Sequence, residues 1–144
     1  MDTLKTYKDF ADNSYQYFMF AYEHEQIFNE MGSMAQNICE RYLKHIISEY
    51  AEPETDQEAV EKERVLRSHN LRMLTNYLRK DMGLPMPKDL IQALHSVNGF
   101  YFSTRYPGED SITLDREDLD DCAEALKLCR QYVEELLEEF NGNK

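Results

Sequence analysis

The chain reads as an all-α protein, an antiparallel up-and-down bundle of about five helices forming one domain over residues 1–144. Apolar residues recur at three- and four-residue spacing along most of the sequence, and no apolar–polar alternation persists long enough for a strand. All four prolines fall between the periodic runs, where they mark connections. A length of 144 residues suits a single domain with a real core.

The first helix is expected over about Thr3–Tyr22, with Tyr7, Phe10, Ser14, Tyr17 and Ala21 as its inner stripe, broadened by Ala11, Phe18 and Tyr22. The second is expected over about Glu25–Tyr50, its stripe being Ile27, Met31, Met34, Ile38, Tyr42 (or Arg41) and Ile46. Gly32 and Ser33 weaken that helix locally and mark a kink or a close helix crossing. Ala51–Asp56, with Pro53, reads as a loop.

A third helix is expected from Asp56 or Gln57 to about Lys80. Leu71, Leu74 and Leu78 form its apolar line, and the same spacing counted backwards reaches Arg67, Arg64 and Val60. Two arginines on the core-facing line mean that the helix protrudes beyond the bundle, or that they face a cleft or a partner. A loop with Gly83, Pro85 and Pro87 leads to a fourth helix over about Lys88–Phe102. Thr113 or Asp115 then caps a last helix lined by Leu119, Cys122, Leu126, Cys129, Val133, Leu136 and Phe140. Gly142, in the closing Asn141–Lys144, suits a helix C-cap.

The net charge of −12 argues against broad electrostatic binding to nucleic acid or anionic membrane, but leaves room for a small basic site on an acidic body. Glu109–Asp121 and the glutamates of the last helix read as solvated faces. The cations are denser in the middle, at Lys62, Arg64, Arg67, Arg72, Arg79 and Lys80. No apolar run reaches the roughly 18 residues of a membrane span. The start, Met1-Asp2-Thr3-Leu4-Lys5, lacks a basic segment followed by an apolar one, so no signal peptide is expected. Cys122 and Cys129 stand about two turns, roughly 10 Å, apart on one helix, too far for a disulfide. With Cys39 they make an odd count, which fits buried thiols and a cytoplasmic location. Tyr and Phe number 10 and 7, more than a thin bundle easily buries, so an apolar patch and a homodimer are expected.

Three constellations carry candidate chemistry. Gly99–Gly108 ends a helix in aromatics, then sets Arg105 and Tyr106 before a Pro107-Gly108 turn. A guanidinium fixed there suits phosphate or carboxylate and a phenol suits stacking on a base; the plainer reading is a C-terminal capping arginine and a turn. Ser68-His69-Asn70-Leu71 offers a histidine able to act as a base or to bind phosphate. Arg64 lies five residues earlier, roughly 140° away on a straight helix, so the pair converges only across a helix start, a kink or a dimer seam. On that helix Arg72 is the better neighbour of His69. Glu40 and Lys44 form an i,i+4 pair worth a few tenths of a kcal/mol if exposed, and the start of a polar network if buried. No metal-ligand spacing, Gly-rich phosphate loop or His-Glu-x-x-His pattern occurs, so neither a metal nor a cofactor is expected.

Together, Ala35–Lys44 with its Gln-x-x-x-Glu-x-x-x-Lys spacing, Ser68-His69-Asn70-Leu71 and Thr104-Arg105-Tyr106-Pro107-Gly108 resemble the HEPN family, closest to its Arg-Tyr-Pro branch. The resemblance covers most of the chain. It implies a four- or five-helix bundle that commonly dimerises, a nucleotide or RNA as ligand, and a small nucleotidyltransferase as a frequent partner. It carries Glu40, Lys44, His69, Asn70, Arg105 and Tyr106 as nucleotide-binding residues. Many members are metal-independent, toxin-like RNases with an Arg-x4-6-His motif, which Arg64 and His69 satisfy. Three readings follow: a nucleotide- or RNA-binding module, an RNase using Arg64 and His69, and a protein-interaction bundle.

Overall fold

The computed structural model describes residues 3–142, all of whose regular structure is helical. Met1 and Asp2, which begin the segment read for a leader, lie outside them, as do Asn143 and Lys144 after the expected glycine cap. Helix α1 covers Tyr7–Glu23 and α2 Glu30–Tyr50. Thr6 and Asp9 form a capping box that starts α1, because each side chain satisfies the other's free backbone N–H. Helix α3 covers Asp56–Leu66 and α4 Leu71–Asn76, which continues as a π turn over Tyr77–Asp81. Helix α5 covers Lys88–Val97, α6 Phe100–Ser103 and α7 Arg116–Gly142. Asp115 accepts from the Asp118 N–H at 2.9 Å, so it is the α7 cap of the two candidates.

The helical bundle has the expected class, with two expected helices broken. Asn98 Oδ1 accepts from the Leu71 N–H, and Asn70 Oδ1 from the N–H groups of Arg72 and Met73. These asparagine carbonyls start a new helix at Leu71, so the single helix expected over Asp56–Lys80 does not form. His69 precedes the new start, and helical spacing to Arg72 or Arg64 no longer applies. The fourth helix breaks at Gly99, whose φ of 102° lies in the left-handed region that glycine adopts freely. The second helix begins five residues later than expected, leaving Ile27 in an exposed connection.

Helix α2 is the axis, packing against α1, α3, α4, α5, α6 and α7. Met31, Ile38, Tyr42 and Ile46 of its expected stripe are buried. Helix α1 is rotated from its expected stripe. It buries Ala11, Phe18 and Met19, while Tyr7, Phe10, Tyr17 and Phe20 are exposed. The reason is polar: Asp12 must face inward to accept from the Tyr42 hydroxyl at 2.6 Å, and this sets the phase of the helix. Helix α3 protrudes, burying Val65 while Val60 and Arg64 are exposed. Gly32 marks a close crossing, because a Cβ there would stand 2.8 Å from Thr104 Cγ2 and 2.9 Å from Leu114 Cδ1. All three cysteines are free and buried. Burial pushes the Cys122 thiol up to about 12, and a hydrogen bond from Cys129 together with burial raises Cys39, so neither of these two presents a ready thiolate.

Candidate functional site

Gln36, Glu40 and Lys44 recur at four-residue spacing, one above another on α2, and all are buried. Buried polar groups persist only with partners, and each partner here belongs to the candidate site. Gln36 Oε1 accepts from the N–H of Gly99 at 3.0 Å and of Tyr101 at 2.7 Å. Its Nε2 donates to the His69 carbonyl. One buried amide thus ties the break before α4 to the break before α6, bringing His69 beside Tyr101.

Glu40 is 2% exposed, and its Oε1 accepts from His69 Nδ1 at 2.9 Å. Lys44 Nζ lies 3.4 Å from the same oxygen. Of the two readings of the Glu40–Lys44 pair, the buried polar network is the one that holds. A carboxylate oxygen accepts only, so His69 Nδ1 carries a proton, and in the neutral ring the free lone pair is on Nε2. Glu40 Oε2 is buried without a hydrogen-bond partner among the described residues.

The His69 ring, half exposed, stacks on Tyr101 with centroids 4.3 Å apart and planes 9° from parallel. The Arg105 guanidinium lies 4.6 Å from the Tyr101 centroid and 5.4 Å from that of Tyr106. Phe102 meets Tyr101 edge-on at 5.0 Å. The result is a surface platform of imidazole, phenol and guanidinium. Its Arg105 end is held by Asn29, which donates to the carbonyls of Thr104 and Ile112 and accepts from the Leu114 N–H.

The structure therefore brings together Glu40, Lys44, His69, Arg105 and Tyr106. Lys44 is buried beneath the platform, where it balances Glu40. Asn70 caps α4 and accepts from Asn98 Nδ2 at 3.3 Å. Arg64 is engaged elsewhere: its guanidinium donates to Glu61 at 2.6 and 2.9 Å and approaches the Met73 sulfur. No hydrogen bond or ion pair joins it to His69 among the described residues. No cluster of three or more His, Cys, Asp or Glu suited to a metal ion occurs among them either. Sequence reasoning left Tyr101, Gln36 and Asn29 off the candidate list. The signal for Gln36 was there, as the first member of a polar i,i+4,i+8 line with Glu40 and Lys44. Helical spacing puts Tyr101 on the apolar line of the expected fourth helix with Leu94, which reads it as a packing residue rather than a site residue.

A family model described as HEPN domain matches residues 5–140. No curated protein and no solved structure matches.

Proposed function

The chain belongs to the HEPN domain family, and from that membership we propose a nucleotide- or RNA-binding module of the Arg-Tyr-Pro branch whose ligand sits on the His69–Tyr101–Arg105 platform. The observation that carries this reading is the stack itself. The half-exposed His69 ring at the end of the stack accepts a base irrespective of sequence, and the guanidinium alongside pairs with phosphate in a planar, two-pronged contact. The buried Gln36 and Glu40 hold the platform in place before any ligand arrives, which lowers the ordering cost of binding. Tyr106, exposed beside Arg105, closes over the ligand.

The Glu40–His69 contact favours a second reading, metal-independent RNA cleavage. With Nδ1 held by Glu40, His69 Nε2 accepts the proton of a 2′-hydroxyl. The 2′-oxygen then bonds to phosphorus as the bond from phosphorus to the 5′-oxygen breaks, giving a 2′,3′-cyclic phosphate and, on protonation, a 5′-hydroxyl. Arg105 stabilises the added charge on the phosphorane, or Arg64 does so from a second copy across a dimer seam. The exposed Phe10, Tyr17 and Phe20 of α1 support self-association. A nucleotidyltransferase is the other partner the family resemblance implies.

The test is incubation of RNA with wild type and His69→Ala in EDTA, beside thermal shift against a nucleotide panel. Stabilisation by nucleotide that is lost in His69→Ala, with intact RNA, supports the binding module. Cleavage abolished by His69→Ala supports the RNase. Neither stabilisation nor cleavage leaves the protein-interaction bundle.

A further inference from the structure

Between the connection that leads into α5 and the C-terminal turns of α7, the surface opens into a groove of about 410 Å³. Leu136 and Tyr132 of α7, both buried, form one side of it, and Pro85, Met86 and Pro87 of the connection line the rest. The groove is built before anything enters it. The Tyr132 hydroxyl donates to the Pro85 carbonyl at 2.9 Å, which holds the connection on the helix. Proline rings fix φ at both ends of the wall, and Pro87 is extended, with φ −61° and ψ 145°. Met86, half-buried between them, has an unbranched thioether chain that adjusts to the shape it meets.

The charges in this lining are Glu135 and Glu139, both exposed. No ion pair engages either of them among the described residues. Arg130, the cation that precedes them on α7, is paired with Glu134 at 3.1 Å. Each of four other clefts has at least one lysine or arginine in its wall. From Gln131 to Gly142, α7 carries four glutamates and neither lysine nor arginine. Glu139 also stands in the last turn, where free carbonyls make the helix end negative and disfavour an anion. The rim is therefore an uncompensated negative field beside an apolar surface.

That combination takes an apolar side chain with a cation next to it. Glu135 and Glu139 are one turn apart, roughly 6 Å along the helix, so one guanidinium or ammonium can lie between them. A lysine or arginine also matches the surface by itself, its stem being apolar and its head charged. A polyanion is repelled by the same rim.

We infer that this groove docks a basic segment of a partner protein, with one apolar side chain entering between Met86 and Leu136 and a neighbouring Lys or Arg bridging Glu135 and Glu139. The inference is independent of the His69–Tyr101–Arg105 platform, with which the groove shares no residue. The charged rim selects the partner and speeds its approach, while the apolar lining supplies the hold.

The experiment pans the full chain against a phage-displayed library of random peptides of about twelve residues, then titrates an enriched peptide by fluorescence anisotropy. Enriched sequences carry a Lys or Arg beside an apolar residue or one turn from it. Glu135→Gln/Glu139→Gln weakens that peptide about fivefold or more, whereas Glu109→Gln/Asp110→Asn changes it less than about twofold. The second pair removes the same charge from an exposed segment elsewhere, so it separates the groove from the general acidity of the body. The rim variant melts slightly higher than wild type, because anions leave a helix end that disfavours them, and its weaker binding is then no folding defect. With carbon-13 methyl labels on the methionines, the peptide moves the Met86 resonance and leaves that of buried Met31 in place. His69→Ala binds the peptide as wild type does, so failure of the platform reading leaves this test standing. No enrichment of basic sequences, equal losses in the two charge variants, or an unmoved Met86 resonance overturns the docking site. A Met86 resonance that moves on concentrating the protein alone gives the groove to a second copy of the chain, and overturns it too.

Discussion

Glu40 Oε1 lies 2.9 Å from His69 Nδ1, across 29 positions of sequence, and the carboxylate is buried while the imidazole is half exposed. A buried acceptor behind an exposed ring fixes the ring's tautomer and direction, whatever the ligand. Glu40→Gln keeps the shape but removes the charge, leaving Lys44 as an uncompensated buried cation. The expected result is a loss of about 1–3 kcal/mol of stability in denaturant unfolding. Nucleotide affinity falls with it, since a neutral amide oxygen holds His69 less firmly than the carboxylate does. Combining Glu40→Gln with Lys44→Met recovers stability without recovering affinity, which separates the two roles.

Tyr101 is the ring shared by His69 and Arg105. Tyr101→Leu keeps bulk and removes the π-face, and it lowers affinity for RNA in anisotropy titrations with little change in melting temperature. Arg105→Lys keeps the charge but loses the planar stacking group, at a cost of about 2–5-fold in affinity. Arg105→Ala removes both, and binding drops by about tenfold or more. Equal losses for lysine and alanine would show that the charge alone is not what holds the ligand.

Gly32→Ala tests the crossing that seats the loop carrying Arg105. The added methyl meets Thr104 Cγ2 at 2.8 Å and Leu114 Cδ1 at 2.9 Å, so these two buried side chains, which flank the loop, must shift. The expected cost is about 1–3 kcal/mol by thermal or urea unfolding, accompanied by weaker nucleotide binding. Unchanged stability and binding would mean that the loop gives way freely.

The helical class was legible because period-3.6 patterning is strong and local, and the α2 stripe came through nearly intact. The α1 stripe did not. Counting hydrophobics put Tyr7, Phe10 and Tyr17 inside, yet a long-range bond from Tyr42 to Asp12 sets the phase. The break at Asn70 was equally hidden, since its second support comes from Asn98, 28 residues on. That break decides the site. A continuous helix would have turned His69 by its helical phase, whereas the loop lets Gln36 and Glu40 place it on Tyr101. Motif residues were visible in sequence, but the contacts that give them geometry are tertiary and were not.

His45 provides a pH prediction. It is buried on α2, with its Nδ1 unpartnered among the described residues. Burial holds its pKa below the ordinary 6.5, and the charges felt there are Glu49, Asp9 and Asp12 raising it and Lys8 lowering it. Burial is the largest of these effects, so the folded protein favours the neutral ring. The unfolded chain then binds a proton near pH 6.5 that the folded chain still refuses. Stability therefore rises with pH across the interval between the depressed folded value and 6.5, and falls as acid is added through it. Asp9 and Glu61 are lowered from ordinary carboxylate values and titrate well below this window. His45→Gln keeps a neutral polar side chain and removes the titration. Urea unfolding midpoints of wild type should drop between about pH 7 and 5, and those of His45→Gln should change less over the same interval. Parallel profiles would place the pH sensitivity in another group.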